Sequence, residues 1–212
     1  MTSRNLGLVC VALCGLACKD EPSSVDLELQ KGPEKRAEVK IVNTPVPWGT
    51  KIACDKLLSA ATASTELGKE VAIHDVSPTN REATAVCQVR LGGTPPSAKE
   101  QEKKWLASGR VLGVLPGDEI CQVTVYCAYS FEIDKEKPKC EQEGQTASQE
   151  VGSLTCVRTI EAGSDYRYIY SVYDPDTQCK YLINPGPSVI DRESVVQCAR
   201  MAVNQIGPAQ LK

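Results

Sequence analysis

Apolar and polar residues alternate most clearly over residues 119–133, EICQVTVYCAYSFEI. Cys121, Val123, Val125, Cys127, Tyr129, Phe131 and Ile133 fall on one side, and Gln122, Thr124, Tyr126, Ser130 and Glu132 on the other. A period of two predicts a strand with one buried face. Fifteen residues exceed the usual strand, so a bend or bulge is expected within it. Residues 154–161, 166–173 and 178–183 read as three further strands, and residues 37–42 as a first strand closed by Pro45 and Pro47. Asp174-Pro175-Asp176-Thr177 reads as a turn, because proline presets φ there.

Helical spacing marks two other stretches, and a capping box marks a third. Residues 190–206 place Val195, Cys198, Ala199, Ala202, Val203 and Ile206 on one face. Residues 51–68, KIACDKLLSAATASTELG, do the same with Cys54, Leu57, Leu58 and Ala61, with Thr50 as N-cap and Gly68 as stop. Ser97 and Glu100 form the sequence pattern of a capping box for a short helix ending at Gly109. Lys99, Lys103 and Lys104 alternate there with Glu100 and Glu102, the pattern of a solvated face. Together these elements predict an α+β fold: a mostly antiparallel sheet with helices packed on one side, braced by disulfides. One echo runs through it. VCQVRL (86–91), ICQVTV (120–125) and TCVRTI (155–160) each put a cysteine one residue into an expected strand.

The N-terminus follows a different pattern. One basic residue, Arg4, precedes an uncharged apolar run from Leu6 to Ala17. Twelve residues are too few for a helix across ~30 Å of hydrocarbon, which takes ~20. A basic start, a short apolar run and small residues before a polar segment mark a secretory signal. Gly15-Leu16-Ala17-Cys18 resembles the lipobox of bacterial lipoproteins, with Gly15 departing from the usual leucine. The resemblance covers residues 1–18 and implies cleavage before Cys18, which then carries acyl chains. Residues 19–36, KDEPSSVDLELQKGPEKR, cannot bury enough apolar surface to order themselves and read as a tether. The expected organisation is a signal peptide at 1–17, a lipidated N-terminus and tether at 18–36, and a head at 37–212. The head has room for two small subdomains divided near 134–150.

This division changes the cysteine count. Cys10 and Cys14 leave with the signal and Cys18 is taken by lipid. Eight remain, Cys54, Cys87, Cys121, Cys127, Cys140, Cys156, Cys179 and Cys198, and an even number in an exported chain predicts four disulfides. Cys121 and Cys127 would lie ~20 Å apart along one strand, beyond the ~7 Å between Cα atoms that a bridge allows. Each must bond a different neighbour. Eight cysteines allow 105 pairings; the placement of the elements suggests Cys54–Cys87 and Cys179–Cys198. With no CxxC spacing and a single histidine, no metal or other cofactor is expected.

Charge narrows the partners. The chain has 24 Lys and Arg against 27 Asp and Glu, and no basic cluster, which argues against nucleic acid. His74 beside Asp75 invites a general base, yet no nucleophile motif accompanies it. Tyr166, Tyr168 and Tyr170 share one face of an expected strand, with Tyr173 and Tyr181 near in sequence, and form a possible recognition face. The expectation is therefore an exported protein, lipid-anchored in the bacterial cell envelope, facing the periplasm or the surface. It would bind a protein or glycan partner or serve structurally, without catalysis. The alternatives are an envelope hydrolase, with a polar pocket near His74 or a carboxylate pair, and a secreted protease inhibitor, with an exposed loop at 134–150 around Cys140.

Overall fold

Strands form where β-branched and aromatic residues recur at every second position, and here they assemble into one seven-stranded sheet. The computed structural model describes residues 46–108, 113–127, 131–162, 165–189 and 191–212. The signal segment 1–17, Cys18, the tether 18–36 and the strand expected at 37–42 lie outside the described residues. The strands are β1 (Val71–Asp75), β2 (Ala85–Leu91), β3 (Glu119–Tyr126), β4 (Thr146–Ser148), β5 (Leu154–Ala162), β6 (Asp165–Asp174) and β7 (Cys179–Pro185). Their order is β1-β2-β3-β7-β6-β5-β4, and every neighbouring pair is antiparallel. The helices are α1 (Cys54–Leu57), α2 (Ala60–Leu67), α3 (Ala98–Ser108), α4 (Ile133–Gln142) and α5 (Arg192–Gln205).

The sheet's two faces differ. Cys87 and Val89 of β2, Cys121, Val123 and Val125 of β3, Tyr181 and Ile183 of β7 and Tyr170 and Val172 of β6 share one face by register. All are fully buried. Against them lie α1, α2 and α5, with Leu57, Leu58, Leu67, Val195, Ala199 and Ala202 in the same core. The main helical layer is thus one-sided, as the sequence predicts. A small second layer exists on the reverse face. There α4 packs on β4 and β5 around Cys140, Leu154 and Cys156, a separate core that Ile133, Ala147 and Tyr173 flank. The ring of Phe131 meets Tyr173 edge-on at 5.2 Å. Burial, reinforced by Glu136 and Glu143, pushes the Tyr173 hydroxyl up to about 12.

Four disulfides join these parts: Cys54–Cys87, Cys121–Cys198, Cys127–Cys179 and Cys140–Cys156. The expected Cys54–Cys87 bridge is present, and Cys121 and Cys127 do bond different neighbours. Cys179 does not pair with Cys198. The register sets β7 directly beside β3, with Tyr126 opposite Lys180, so Cys179 meets Cys127 across the ladder with Cα atoms 4.1 Å apart. Cys198 reaches Cys121 from α5 instead. The tie expected between the last helix and the β6–β7 hairpin is made by hydrogen bonds. Tyr181 Oη donates to Asp174 Oδ2 at 3.0 Å and lies 3.3 Å from the Ile206 carbonyl oxygen at the end of α5.

Three boundaries differ from the sequence reading. The strand begun at Glu119 stops at Tyr126, because its partner β7 begins at Cys179 and offers nothing to pair beyond Cys127. Ile133 belongs to α4, with Asp134 and Glu136 in the first turn where the helix dipole favours acids. Residues 51–68 form two helices rather than one. Leu58 is extended and Ser59 restarts the chain, its Oγ accepting from the Thr62 amide at 3.3 Å. The break shifts the helical phase, so Ala63 and Leu67 are buried and Ala61 is exposed. Thr50 caps nothing; the Cys54 amide donates to the Asp75 carboxylate at 3.0 Å. Gly68 does end α2, in the left-handed conformation at φ 63°.

Residues 134–150 form α4 and the edge strand β4 of the same sheet, not a separating linker or an exposed loop. The capping box of α3 is present: the Ser97 amide donates to Glu100 Oε2 at 2.8 Å, and the Glu100 amide to Ser97 Oγ at 3.3 Å. Every described side chain of α3 is exposed, including Trp105 at 57% and Leu106 at 68%.

The two cores give the bridges unequal consequences. Replacing Cys140 and Cys156 with serine opens a loop with a sequence separation of 16, an expected loss of ~3 kcal/mol. In hydrogen exchange, protection should vanish in α4 while α5 and β3 keep theirs. Replacing Cys121 and Cys198, 77 apart, should cost ~4–5 kcal/mol and lower protection throughout the main core.

Candidate functional site

Tyr168 and Tyr170 of the tyrosine stripe fall on the helix-covered face. Tyr170 is 0% exposed and Tyr168 is half-buried against the main core. The side chain of Tyr166 lies outside the described residues. The Tyr170 hydroxyl accepts from Arg192 Nε at 2.8 Å and lies 3.3 Å from Glu150 Oε2. Arg192 in turn bonds Glu150 at 2.5 Å. Tyr170 thus fixes the start of α5 and cannot touch a partner. The proposed recognition face fails there because alternation alone does not say which side of a strand the helices cover.

His74 and Asp75 do not form a pair. Adjacent residues of a strand point to opposite faces. Asp75 shares the helical side with Val71 and Ile73, and its two oxygens accept from the Cys54 and Ser77 amides at 3.0 and 2.8 Å. Burial opposes ionisation, but the bonds from Ser77 and Cys54 outweigh it and hold the carboxyl below its usual range. Asp75 is therefore a structural knot between β1, α1 and the turn at Ser77. His74 points to the reverse face and is exposed.

A groove of about 450 Å³ lies between α4 and β4, lined by Ile133, Asp134, Lys137, Ser148, Gln149 and Leu154. It borders the edge strand opposite to the one carrying His74. Its charged lining consists of one carboxylate and one ammonium from the same helix.

The reverse face is more ordered than this groove. Four polar residues stand in one row across four strands: His74 opposite Gln88, Gln88 opposite Gln122, and Gln122 opposite Asn184. The three amides are half-buried, and α4 covers only the β4–β5 end of this face. Interstrand pairing spaces the row at ~4.8 Å per residue. Beside it, Arg90 donates to Gln88 Oε1 at 2.8 Å and faces Glu119. Burial pushes the Glu119 carboxyl up, against the pull of Arg90. Arg90 Nε is enclosed without a partner among the described residues. The row leaves hydrogen-bonding groups unused. Asn184 makes no side-chain bond among the described residues, Gln88 uses only its oxygen, and Gln122 makes one long contact to Thr124 at 3.5 Å. Farther along the face stand Tyr126, which accepts from Asn80 at 3.2 Å, and Lys180, 5.6 Å from the Tyr173 ring centre.

Sequence reasoning missed this row, although the echo carried a signal for it. In VCQVRL and ICQVTV the cysteine points to the helices, so the glutamine after it must point away. The antiparallel register then sets the two glutamines side by side.

Compared with known proteins, the chain matches no family model, no curated protein and no solved structure. The assignment of roles rests on this geometry.

Asp75 gives a pH test with a defined sign. Its depressed folded-state pKa contributes stability that is complete above the unfolded value, ~3.9, and is lost as pH falls through the folded value. Asp75→Asn should therefore melt lower than the parent at neutral pH, and the difference should narrow below about pH 4. A constant difference across the acid range would assign the loss to something other than this charge.

Proposed function

We propose that this chain is an exported, lipid-anchored binding protein of the bacterial cell envelope. In this reading Cys18 carries the acyl chains, and residues 19–36 hold the head away from the membrane. The head presents the part of the reverse face beyond α4, with His74, Gln88, Gln122 and Asn184, to an envelope partner. The observation that carries the reading is the pairing of all eight cysteines beyond Cys18 with one another. Four buried bridges in one head suit an oxidising compartment. The odd cysteine nearest to them in sequence is the one that the lipobox resemblance assigns to lipid. A diacyl or triacyl anchor would hold where one chain is marginal, since each buried CH₂ adds ~0.8 kcal/mol.

A binding role is favoured over hydrolysis by what the sheet presents. The half-buried side chains of the row are the amides of Gln88, Gln122 and Asn184, which donate and accept hydrogen bonds without taking up protons at neutral pH. The lone histidine stands at the end of their row, on the face that the Asp75 carboxylate does not share.

The test is the mass of the N-terminal peptide of protein purified from its own membrane, read with a non-reducing peptide map. A diacyl or triacyl mass on Cys18 is expected. Cys18→Ala should move the protein from the membrane to the soluble fraction while the four bridges stay intact. An unmodified Cys18 thiol, or a membrane-bound Cys18→Ala variant, would overturn the anchor.

A further inference from the structure

The reverse face poses a physical question. A protein that leaves three half-buried amides without full partners has exposed hydrogen-bonding capacity at fixed intervals. We infer that the row His74–Gln88–Gln122–Asn184 is a binding site for a neutral glycan chain, lying across the strands with successive sugar units over successive strands. This names the ligand class of the binding role proposed above and rests on that reading.

Three features favour a sugar chain. The first is hydrogen-bond type. A carboxamide offers an acceptor and two donors at once, and a sugar hydroxyl likewise gives and takes. Among the described residues the free groups are of both kinds: the Gln88 amide nitrogen, the Gln122 oxygen and both ends of Asn184. The second is charge. The amides are uncharged, and the nearest cation, Arg90, is occupied by Gln88 and opposed by Glu119. An anionic ligand would meet no free cation within the row, and a cationic one no free carboxylate. The third is spacing. Neighbouring strands repeat at ~4.8 Å, whereas the same-face side chains of an extended peptide repeat at ~6.8 Å. A peptide lying across the strands falls out of step by the third contact. A pyranose unit with its linkage has nearly the interstrand length and stays in step across β1, β2, β3 and β7.

The scaffold suits this role. The spacing of the row is set by the ladder, and β3, at its centre, is bonded to α5 through Cys121–Cys198 and to β7 through Cys127–Cys179. The amides therefore meet a ligand with their backbones already ordered, and binding costs chiefly the side-chain freedom.

The experiment is a calorimetric titration of the full chain, in detergent and with its bridges intact, with a β-1,4-linked tetramer of N-acetylglucosamine. Saturable binding is expected, stronger for the tetramer than for the dimer and insensitive to salt, because no charge is paired. Gln122→Ala with Asn184→Ala removes two hydrogen-bonding groups, so affinity should fall about thirtyfold. Asn184→Asp keeps the shape while replacing the donors with a charge. It should weaken binding by itself, which keeps the test decisive if the double variant fails to fold. Lys137→Ala, in the α4–β4 groove, should leave affinity unchanged. Absence of saturation, equal affinity in parent and row variants, or an extended peptide that displaces the sugar would each overturn the site. A missing acyl group on Cys18 would leave this titration standing, and a failed titration would leave the anchor standing.

Discussion

Three helices are bolted to three strands. Cys54 of α1 bonds Cys87 of β2, Cys198 of α5 bonds Cys121 of β3, and Cys140 of α4 bonds Cys156 of β5. The fourth bridge, Cys127–Cys179, locks β3 to β7. The rest of the architecture follows from these fastenings. Two of the helices are short: α1 has four residues and α4 ten. Isolated helices below ~12–15 residues are marginal in water, and α4 meets the sheet over a very small core. Hydrophobic burial alone would hold such pieces weakly. A bridge removes conformations from the unfolded chain, so the folded arrangement wins without a larger core.

The side to which each strand cysteine points decides which face is covered. Cys87 and Cys121 point to one side and bring α1 and α5 there; Cys156 points to the other and brings α4. Among the described residues, no helix packs on the other half of the reverse face. That half carries Gln88, Gln122 and Asn184 beside Val86, Thr124 and Leu182, where the helical face carries valine, isoleucine and buried tyrosine. An antiparallel sheet can face water on one side, and water would be satisfied by lysine and glutamate. Half-buried amides aligned in one row are a narrower choice, and it is this choice that gives the face a chemistry.

Much of the fold was legible in the sequence, and the misses have two causes: elements too short to repeat a period, and information held between elements. Alternation located β3, β5, β6 and β7 and helical spacing located α5, because these elements are long enough to repeat their period several times; α3 was located by its capping box. The five-residue β1 and the three-residue β4 repeat it too few times to be seen. What failed was information held only between elements. The strand from Glu119 could not be ended correctly without knowing where β7 begins. Cys179 could not be assigned to Cys127 without the register. The tyrosines of β6 looked like a recognition face because a strand pattern separates two faces without saying which is inside. Tyr170 also shows why an aromatic with a polar tip is ambiguous: its ring belongs to the core while its hydroxyl answers Arg192 and Glu150.

The echo of VCQVRL and ICQVTV ties these strands together. Within it, the cysteine turns inward to fasten a helix, and the glutamine after it turns outward. One dipeptide thus builds both faces of the sheet at once. In TCVRTI the residue after the cysteine is Val157, which faces the main core, because Cys156 points to the opposite side. The third copy therefore cannot extend the amide row, and the row runs instead into β7, where Asn184 continues it. A device that only braced the head would need the cysteines alone. The pairing of Gln88 with Gln122 across the ladder, prolonged by Asn184 from a strand without the echo, sets the outward face apart as a feature of its own.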